Sequence, residues 1–258
     1  MRQRIISACL GIPVILLLAW AGGDYWLVLS ALAAIVGLYE FYRGVSLAGH
    51  KPLWPLGLMV LLWAFAFNQT RFTEALGVIN LLLSVILLVF LHPRYHILDL
   101  AISWFGALYV GLFIGYIWKL SSLDHHFGAI VLTLILTWAS DSGAYFVGTL
   151  RGKHKMVPHL SPNKTWEGFG GGFLATILTS IAGLWLMPDL HIWQCLTLGI
   201  AVGLVAPLGD LFASAVKRGL GLKDFGRIIP GHGGILDRLD SLMCVAPIVY
   251  GLTVFWGG

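Results

Sequence analysis

Residues Ser214 to Asp240 read SAVKRGLGLKDFGRIIPGHGGILDRLD, with long apolar runs on both sides at 192–216 and 241–257. The stretch carries Lys217, Arg218, Lys223, Arg227 and Arg238 together with Asp224, Asp237 and Asp240. These are 8 of the chain's 28 charged side chains (16 basic, 12 acidic). Pro230, Gly231, His232, Gly233 and Gly234 stand in one run, which no regular helix tolerates. A charged, glycine-broken loop between hydrophobic helices is costly unless it lines a wet cavity. The chemistry is expected there.

Working outward, the 258-residue chain is 58% hydrophobic and 11% charged, with a mean hydropathy of +0.86. Soluble domains carry about a quarter charged residues, so this composition describes an integral membrane protein. A net charge of +4 does not point to nucleic acid, because the basic residues punctuate apolar runs instead of forming a solvated stripe. Cys9, Cys195 and Cys244 all sit in apolar stretches without paired spacing, and imply neither disulfides nor zinc. The N-terminal MRQRIISACLGIPVILLLAWAGG has a basic start like a signal peptide. Its apolar run reaches Ala21 and leads through Gly22-Gly23-Asp24 into a further segment, so it reads as a retained first helix.

A span needs about 20 mostly apolar residues. That criterion predicts nine: 5–21, 25–42, 53–68, 75–91, 97–118, 127–149, 168–187, 192–216 and 241–257. The fold class expected is therefore an all-α, polytopic membrane helix bundle. With the N-terminus in the cytoplasm, the cytoplasmic side receives Arg2, Arg4, Arg43, Lys51, Arg94, Arg151, Lys153, Lys155, Lys164, Lys217, Arg218, Lys223, Arg227 and Arg238. The far side receives only Arg71 and Lys119, so the positive-inside rule is met. The chain reads as a single polytopic domain, 1–258. Its N-terminal helices occupy 1–126, and its catalytic half, 127–258, has two cytoplasmic loops, 150–167 and 217–240. Gly111 with Gly115, and Gly168 with Gly172, are small-xxx-small pairs that permit a homodimer without demanding one.

Four carboxylates lie within or beside apolar helices of the second half: Asp141, Asp210, Asp237 and Asp240. Facing lipid, each would cost several kcal/mol, so each should face a partner or water. Pro207 and Gly209 are expected to break the helix just before Asp210. Asp237 and Asp240, three residues apart, share a helical face. Carboxylate oxygens with substrate phosphates are the usual setting for Mg²⁺. Cations flanked by glycine backbone are what a polyphosphate needs. PGHGG is not a Walker A loop and GxGxxG is absent, which excludes an ordinary P-loop or Rossmann enzyme. The upstream SDSGAYFVGTLRGKHKMVPHLSPNKTWEG, Ser140 to Gly168, repeats the theme. It has hydroxyls at Ser140, Ser142, Ser161 and Thr165, cations at Arg151, Lys153, Lys155 and Lys164, and acids at Asp141 and Glu167. SPNKT alone reads equally well as a turn followed by a helix cap at Thr165.

The run from Ser214 through Lys217-Arg218, Lys223-Asp224 and Pro230-Gly231-His232-Gly233-Gly234 to Asp237-Arg238 and Asp240 strongly resembles the signature of the phosphatidate cytidylyltransferase family. Ser140-Asp141-Ser142-Gly143-Ala144-Tyr145 and Ser161 to Gly168 resemble the same family. Residues 1–125 resemble it only in hydropathy and helix number. The resemblance implies that CTP and phosphatidate react to give CDP-diacylglycerol and pyrophosphate, with Mg²⁺ and room for a second cation. It implies Asp210, Asp237 and Asp240 as metal ligands supported by Asp141. Lys217, Arg218 and Lys223 would serve as neutralising cations, left undivided between the two substrates. Ser161, Lys164 and Thr165 would serve the nucleotide side, with Ser142, Ser214, Asp224, His232, Gly233, Gly234 and Arg238 as further substrate contacts. The expected location is a bacterial inner membrane, with the site facing the cytoplasm. The different class weighed against this is a secondary transporter, which would favour charges near the bilayer midplane and an internal repeat. Here the charges cluster at the cytoplasmic helix ends and no repeat is visible.

Overall fold

A computed structural model of the chain describes residues 2–65, 70–226, 228 and 233–257. Its helices, in chain order, are α1 (Arg2–Ala21), α2 (Gly23–Leu47), α3 (Trp54–Phe65), α4 (Thr70–Phe90) and α5 (Ile97–Lys119). There follow α6 (His126–Arg151), α7 (Trp166–Ser180), α8 (Gly183–Leu186), α9 (Ile192–Gly219) and α10 (Leu236–Phe255). Each of the nine segments expected to span is helical, α7 and α8 sharing the seventh. Seven are long and apolar enough to cross a bilayer, whereas the first and third contain the shorter apolar helices Gly11–Ala21 and Trp54–Phe65. The end of the third expected span, 66–68, lies outside the described residues. The protein is an all-α, multi-pass membrane bundle.

Apolar side chains face both ways, as lipid solvation requires. Leu38, Phe41, Val110, Ile114, Leu198 and Met243 are buried, while Leu17, Leu62, Val85, Leu178 and Leu208 point outward. Because lipid is as apolar as leucine, burial alone does not hold such helices together, and close backbone approach and buried hydrogen bonds must. The bonds are present. Tyr42 Oη donates to the Ser103 carbonyl at 2.7 Å, the Leu53 amide donates to Ser103 Oγ at 2.8 Å, and Trp26 Nε1 donates to the Ile117 carbonyl at 2.8 Å.

The small-xxx-small glycines provide the close approach within one chain. A Cβ added at Gly111 would lie 2.8 Å from Ala64 Cβ on α3, and one at Gly172 would lie 2.6 Å from the Ser140 carbonyl on α6. Gly111→Ile should therefore wedge α3 from α5. The expected loss is roughly 1–3 kcal/mol, the usual scale of overpacking, read as a lowered unfolding temperature in detergent with the chain still inserted.

Helix ends assigned to one membrane side by strict alternation do meet. Lys51 N reaches Asp99 Oδ1 at 2.9 Å, and Trp193 packs edge-on to Trp256 with ring centroids 5.5 Å apart. Two expectations about the loops need revision. The first loop contains an antiparallel hairpin, β1 (Lys155–Val157) and β2 (Ser161–Thr165), with Lys155 opposite Thr165. The second is shorter than 217–240, because α9 runs to Gly219 and α10 begins at Leu236.

Candidate active site

α9 is continuous through Pro207 and Gly209, so the expected break before Asp210 does not occur. Membrane helices absorb a proline when neighbours satisfy the backbone it disturbs. The carbonyl that Pro207 leaves without its helical donor is that of Gly203; separately, the Pro207 carbonyl accepts from Lys164 Nζ at 3.2 Å, which ties the hairpin to α9. Gly209 serves close approach instead: a Cβ there would sit 2.8 Å from the Asp240 carbonyl. The residue that sequence reading assigned to loosening the helix in fact lets α10 press against α9, which brings Asp210 beside Asp240.

The α6–α7 contact is equally close. A Cβ at Gly168 would lie 2.8 Å from the Ala144 carbonyl. Thr165 Oγ1 caps α7 by accepting from the Gly168 amide at 3.1 Å. Asx- or Thr-type caps stabilise a helix start by about 1 kcal/mol. Ahead of the cap the hairpin is tied down by Glu167, which accepts from the Lys153 amide at 3.1 Å and pairs with His154 Nδ1 at 2.6 Å. Glycine packing thus sets the helices, and the cap with its carboxylate clasp sets the hairpin over their ends.

Between these elements is a cavity of about 430 Å³. Ser140, Asp141, Ala144 and Tyr145 of α6 line one wall, and Met156, Ser161, Asn163, Lys164 and Thr165 of the hairpin cover it. Gly168 and Phe169 of α7, Pro207 and Asp210 of α9, and Asp237, Arg238, Asp240 and Ser241 of α10 complete it. Two motifs far apart in the chain therefore build one chamber, as the sequence implied. All four carboxylates reach it, with Ser161, Lys164, Thr165 and Arg238. Ser214 stands behind the wall, with Oγ 3.5 Å from Asp210 Oδ1. Gly233 and Gly234 lie against Asp237. Ser142, Arg218, Lys223 and Asp224 are exposed and outside the lining, with Arg218 Nη1 donating to the Leu222 carbonyl at 2.8 Å. His232 lies outside the described residues.

Asp141, Asp210 and Asp240 sit close enough to repel one another, and Lys164 and Arg238 oppose that repulsion at Asp141. Lys164 Nζ contacts Asp210 Oδ2 at 2.7 Å, in a pair whose side chains are 23% and 33% exposed. Asp237 is different. It is 7% exposed, and its Oδ1 takes the Lys217 ammonium at 2.8 Å while its Oδ2 accepts from the Phe225 and Gly234 amides at 2.9 and 3.0 Å. Lys217 therefore serves Asp237 here, and does not line the cavity. Among the described residues, no three acidic, histidine or cysteine side chains converge tightly enough to hold a bare ion. Three mutually repelling carboxylates on one chamber nonetheless suit a hard cation whose shell is completed by substrate oxygens.

Sequence reading missed Glu40 of α2, which is 1% exposed and accepts from the Ile235 and Leu236 amides at 3.0 Å each. The available signal was an acid inside the expected span 25–42.

The profile of the Cytidylyltransferase family matches residues 2–256. The chain belongs to that family. The phosphatidate cytidylyltransferase of Bacillus subtilis (strain 168) is 36% identical to it over 260 residues, covering 97% of this chain and 96% of the relative. That of Staphylococcus epidermidis is 34% identical over 257 residues, covering 96% and 97%. The match extends across residues 2–125, where the sequence alone showed a resemblance only in hydropathy and helix number. The family match thus runs along nearly the whole chain, and α2 meets the start of α10 through Glu40.

Proposed function

We propose that the chamber between α6, α7, α9, α10 and the hairpin is where this cytidylyltransferase moves the cytidylyl group of CTP to phosphatidate, releasing CDP-diacylglycerol and pyrophosphate. The observation carrying this reading is the convergence of acids and cations from Ser140–Gly168 and Ser214–Asp240 on one cavity.

The phosphate of phosphatidate is ionised at neutral pH, so its oxygen attacks the α-phosphorus of CTP without a general base. A new oxygen–phosphorus bond forms as the bond from the α-phosphorus to the bridging oxygen breaks, and that electron pair leaves with pyrophosphate. Positioning and charge neutralisation then carry the rate. Lys164 and Arg238 neutralise phosphate oxygens inside the chamber, while the Ser161 and Thr165 hydroxyls contact the nucleotide. Lys164 reaches its ligand by leaving Asp210, a half-solvated pair that is weak enough to open. Asp210 and Asp240, supported by Asp141, would hold Mg²⁺, and Asp237, whose oxygens are taken by Lys217 and the Phe225 and Gly234 amides, would join them by exchanging Lys217 for the ion. The ion would neutralise the phosphates and draw charge from the α-phosphorus. Arg218 and Lys223, outside the lining, act on the approach of the anionic substrates.

One substrate is soluble and the other is anchored by acyl chains, so the chamber needs both a watery and a lipid mouth. Tyr145, which lines the chamber and is 67% exposed, and outward-facing Phe146, Leu150 and Trp166 form an apolar margin suited to the lipid side. The charge asymmetry of the loops supports a cytoplasmic watery mouth, in keeping with a bacterial inner membrane.

Purified protein given phosphatidate and each ribonucleoside triphosphate in turn should release pyrophosphate with CTP alone. Release should stop on chelation of Mg²⁺ and return when it is restored. Release with every nucleotide, or without lipid, would contradict the reading.

A further inference from the structure

Glu40 is a carboxylate in a membrane helix, buried to 1% exposure. A carboxylate so placed costs several kcal/mol unless hydrogen bonds compensate it. Its compensation is specific: Oε1 takes the Ile235 amide and Oε2 the Leu236 amide, 195 and 196 residues away in the chain. Those amides open α10, where donors lack helical partners and the dipole favours negative charge. The preceding amide, Gly234, goes to Asp237 Oδ2, which also takes the Phe225 amide. Three consecutive donors are thus divided between two carboxylates.

The packing leaves little freedom. A Cβ at Gly234 or at Gly226 would overlap the Glu40 carboxylate. Glycine at these two positions is therefore a condition for Glu40 to reach the helix start. Leu236, bonded to Glu40, immediately precedes Asp237, and Asp240 follows one turn later on the cavity wall.

We propose that Glu40 is a positioning residue for cytidylyl transfer. Its carboxylate fixes the first turn of α10, and through that turn the Asp237 and Asp240 side chains. The assignment rests on the chamber being the transfer site. It gives the N-terminal helices a part in the reaction that their hydropathy does not reveal.

The test compares wild type with Glu40→Ala, Glu40→Gln and Ser103→Ala in detergent with lipid, measuring kcat, both KM values and unfolding temperature. Ser103→Ala removes a buried interhelical bond away from the chamber and serves as the control for lost stability alone. Supporting groups behind a reacting centre typically matter by about 10- to 100-fold, and that is the expected fall in kcat for Glu40→Ala. KM should move less than kcat. Glu40→Gln, whose amide oxygen keeps one of the two bonds, should fall between wild type and Glu40→Ala, and is the decisive variant if alanine prevents folding. Ser103→Ala should melt earlier yet keep its kcat. Wild-type kcat in folded Glu40→Ala or Glu40→Gln would overturn the proposal, as would losses that only track unfolding as in Ser103→Ala. An inactive wild type would overturn the transfer reading itself, and the proposal with it.

Discussion

Asp237→Asn is expected to all but abolish CDP-diacylglycerol formation, by about 10³-fold, the upper range for losing one preorganised electrostatic group. The substitution keeps the side-chain shape but replaces one acceptor oxygen with an NH₂ donor. That donor must face either the Lys217 ammonium or the Phe225 and Gly234 amides, all of which also donate. It also leaves Lys217 buried without its counter-charge, and breaking a buried pair in this way costs roughly 3–5 kcal/mol. Asp237→Asn should therefore insert into the membrane, lose activity and unfold earlier. Replacing the pair together, Lys217→Met with Asp237→Leu, removes the unpaired ammonium but leaves the Phe225 and Gly234 amides without an acceptor, so it should recover only part of the stability and none of the turnover. Turnover near wild type in Asp237→Asn would remove Asp237 from the site.

Asp210→Asn separates the two effects. Its partner Lys164 comes from the hairpin, and the pair is partly solvated, so its contribution to stability is small. Turnover should fall by about 10²- to 10³-fold with an unfolding temperature close to wild type. The Mg²⁺ concentration needed for half-maximal activity should rise, because Asp210 is one of the carboxylates assigned to the ion. Unchanged Mg²⁺ dependence in an active Asp210→Asn enzyme would take Asp210 out of the metal assignment. Asp237 and Asp210 thus differ in a way that their shared residue type concealed. One is a buried hub that organises a loop and a helix start, and the other faces the open chamber.

Much of this was legible in the residues. Nine apolar segments and the one-sided distribution of Lys and Arg gave the bundle, and each expected segment is helical. The two charged stretches were expected to meet, and Asp141, Lys164, Asp210, Asp237, Arg238 and Asp240 do line one cavity. What stayed hidden has physical causes. Glycine in a membrane helix signals either weakness or close approach, and Gly209 proved to be the second, which only the facing carbonyl of Asp240 reveals. Local composition could not distinguish Lys217 from Lys223, because the difference lies in the last turn of α9, which carries Lys217 to Asp237, whereas Lys223 lies beyond the helix. Lys217 is buried in an ion pair, and Lys223 is exposed. The hairpin escaped notice because its strands are only 3 and 5 residues long. Glu40 shows locally only as an acid inside an expected span, since its partners are two backbone amides at the start of a helix near the other end of the chain.

The central claim, transfer of the cytidylyl group to the lipid within this chamber, is tested most directly with CTP labelled at the α-phosphorus. Wild-type protein with phosphatidate and Mg²⁺ should pass the label wholly into the lipid product and release unlabelled pyrophosphate. Folded Asp210→Asn and Asp237→Asn proteins should transfer almost none. Label appearing in a water-soluble product, or transferred undiminished by both variants, would contradict the account.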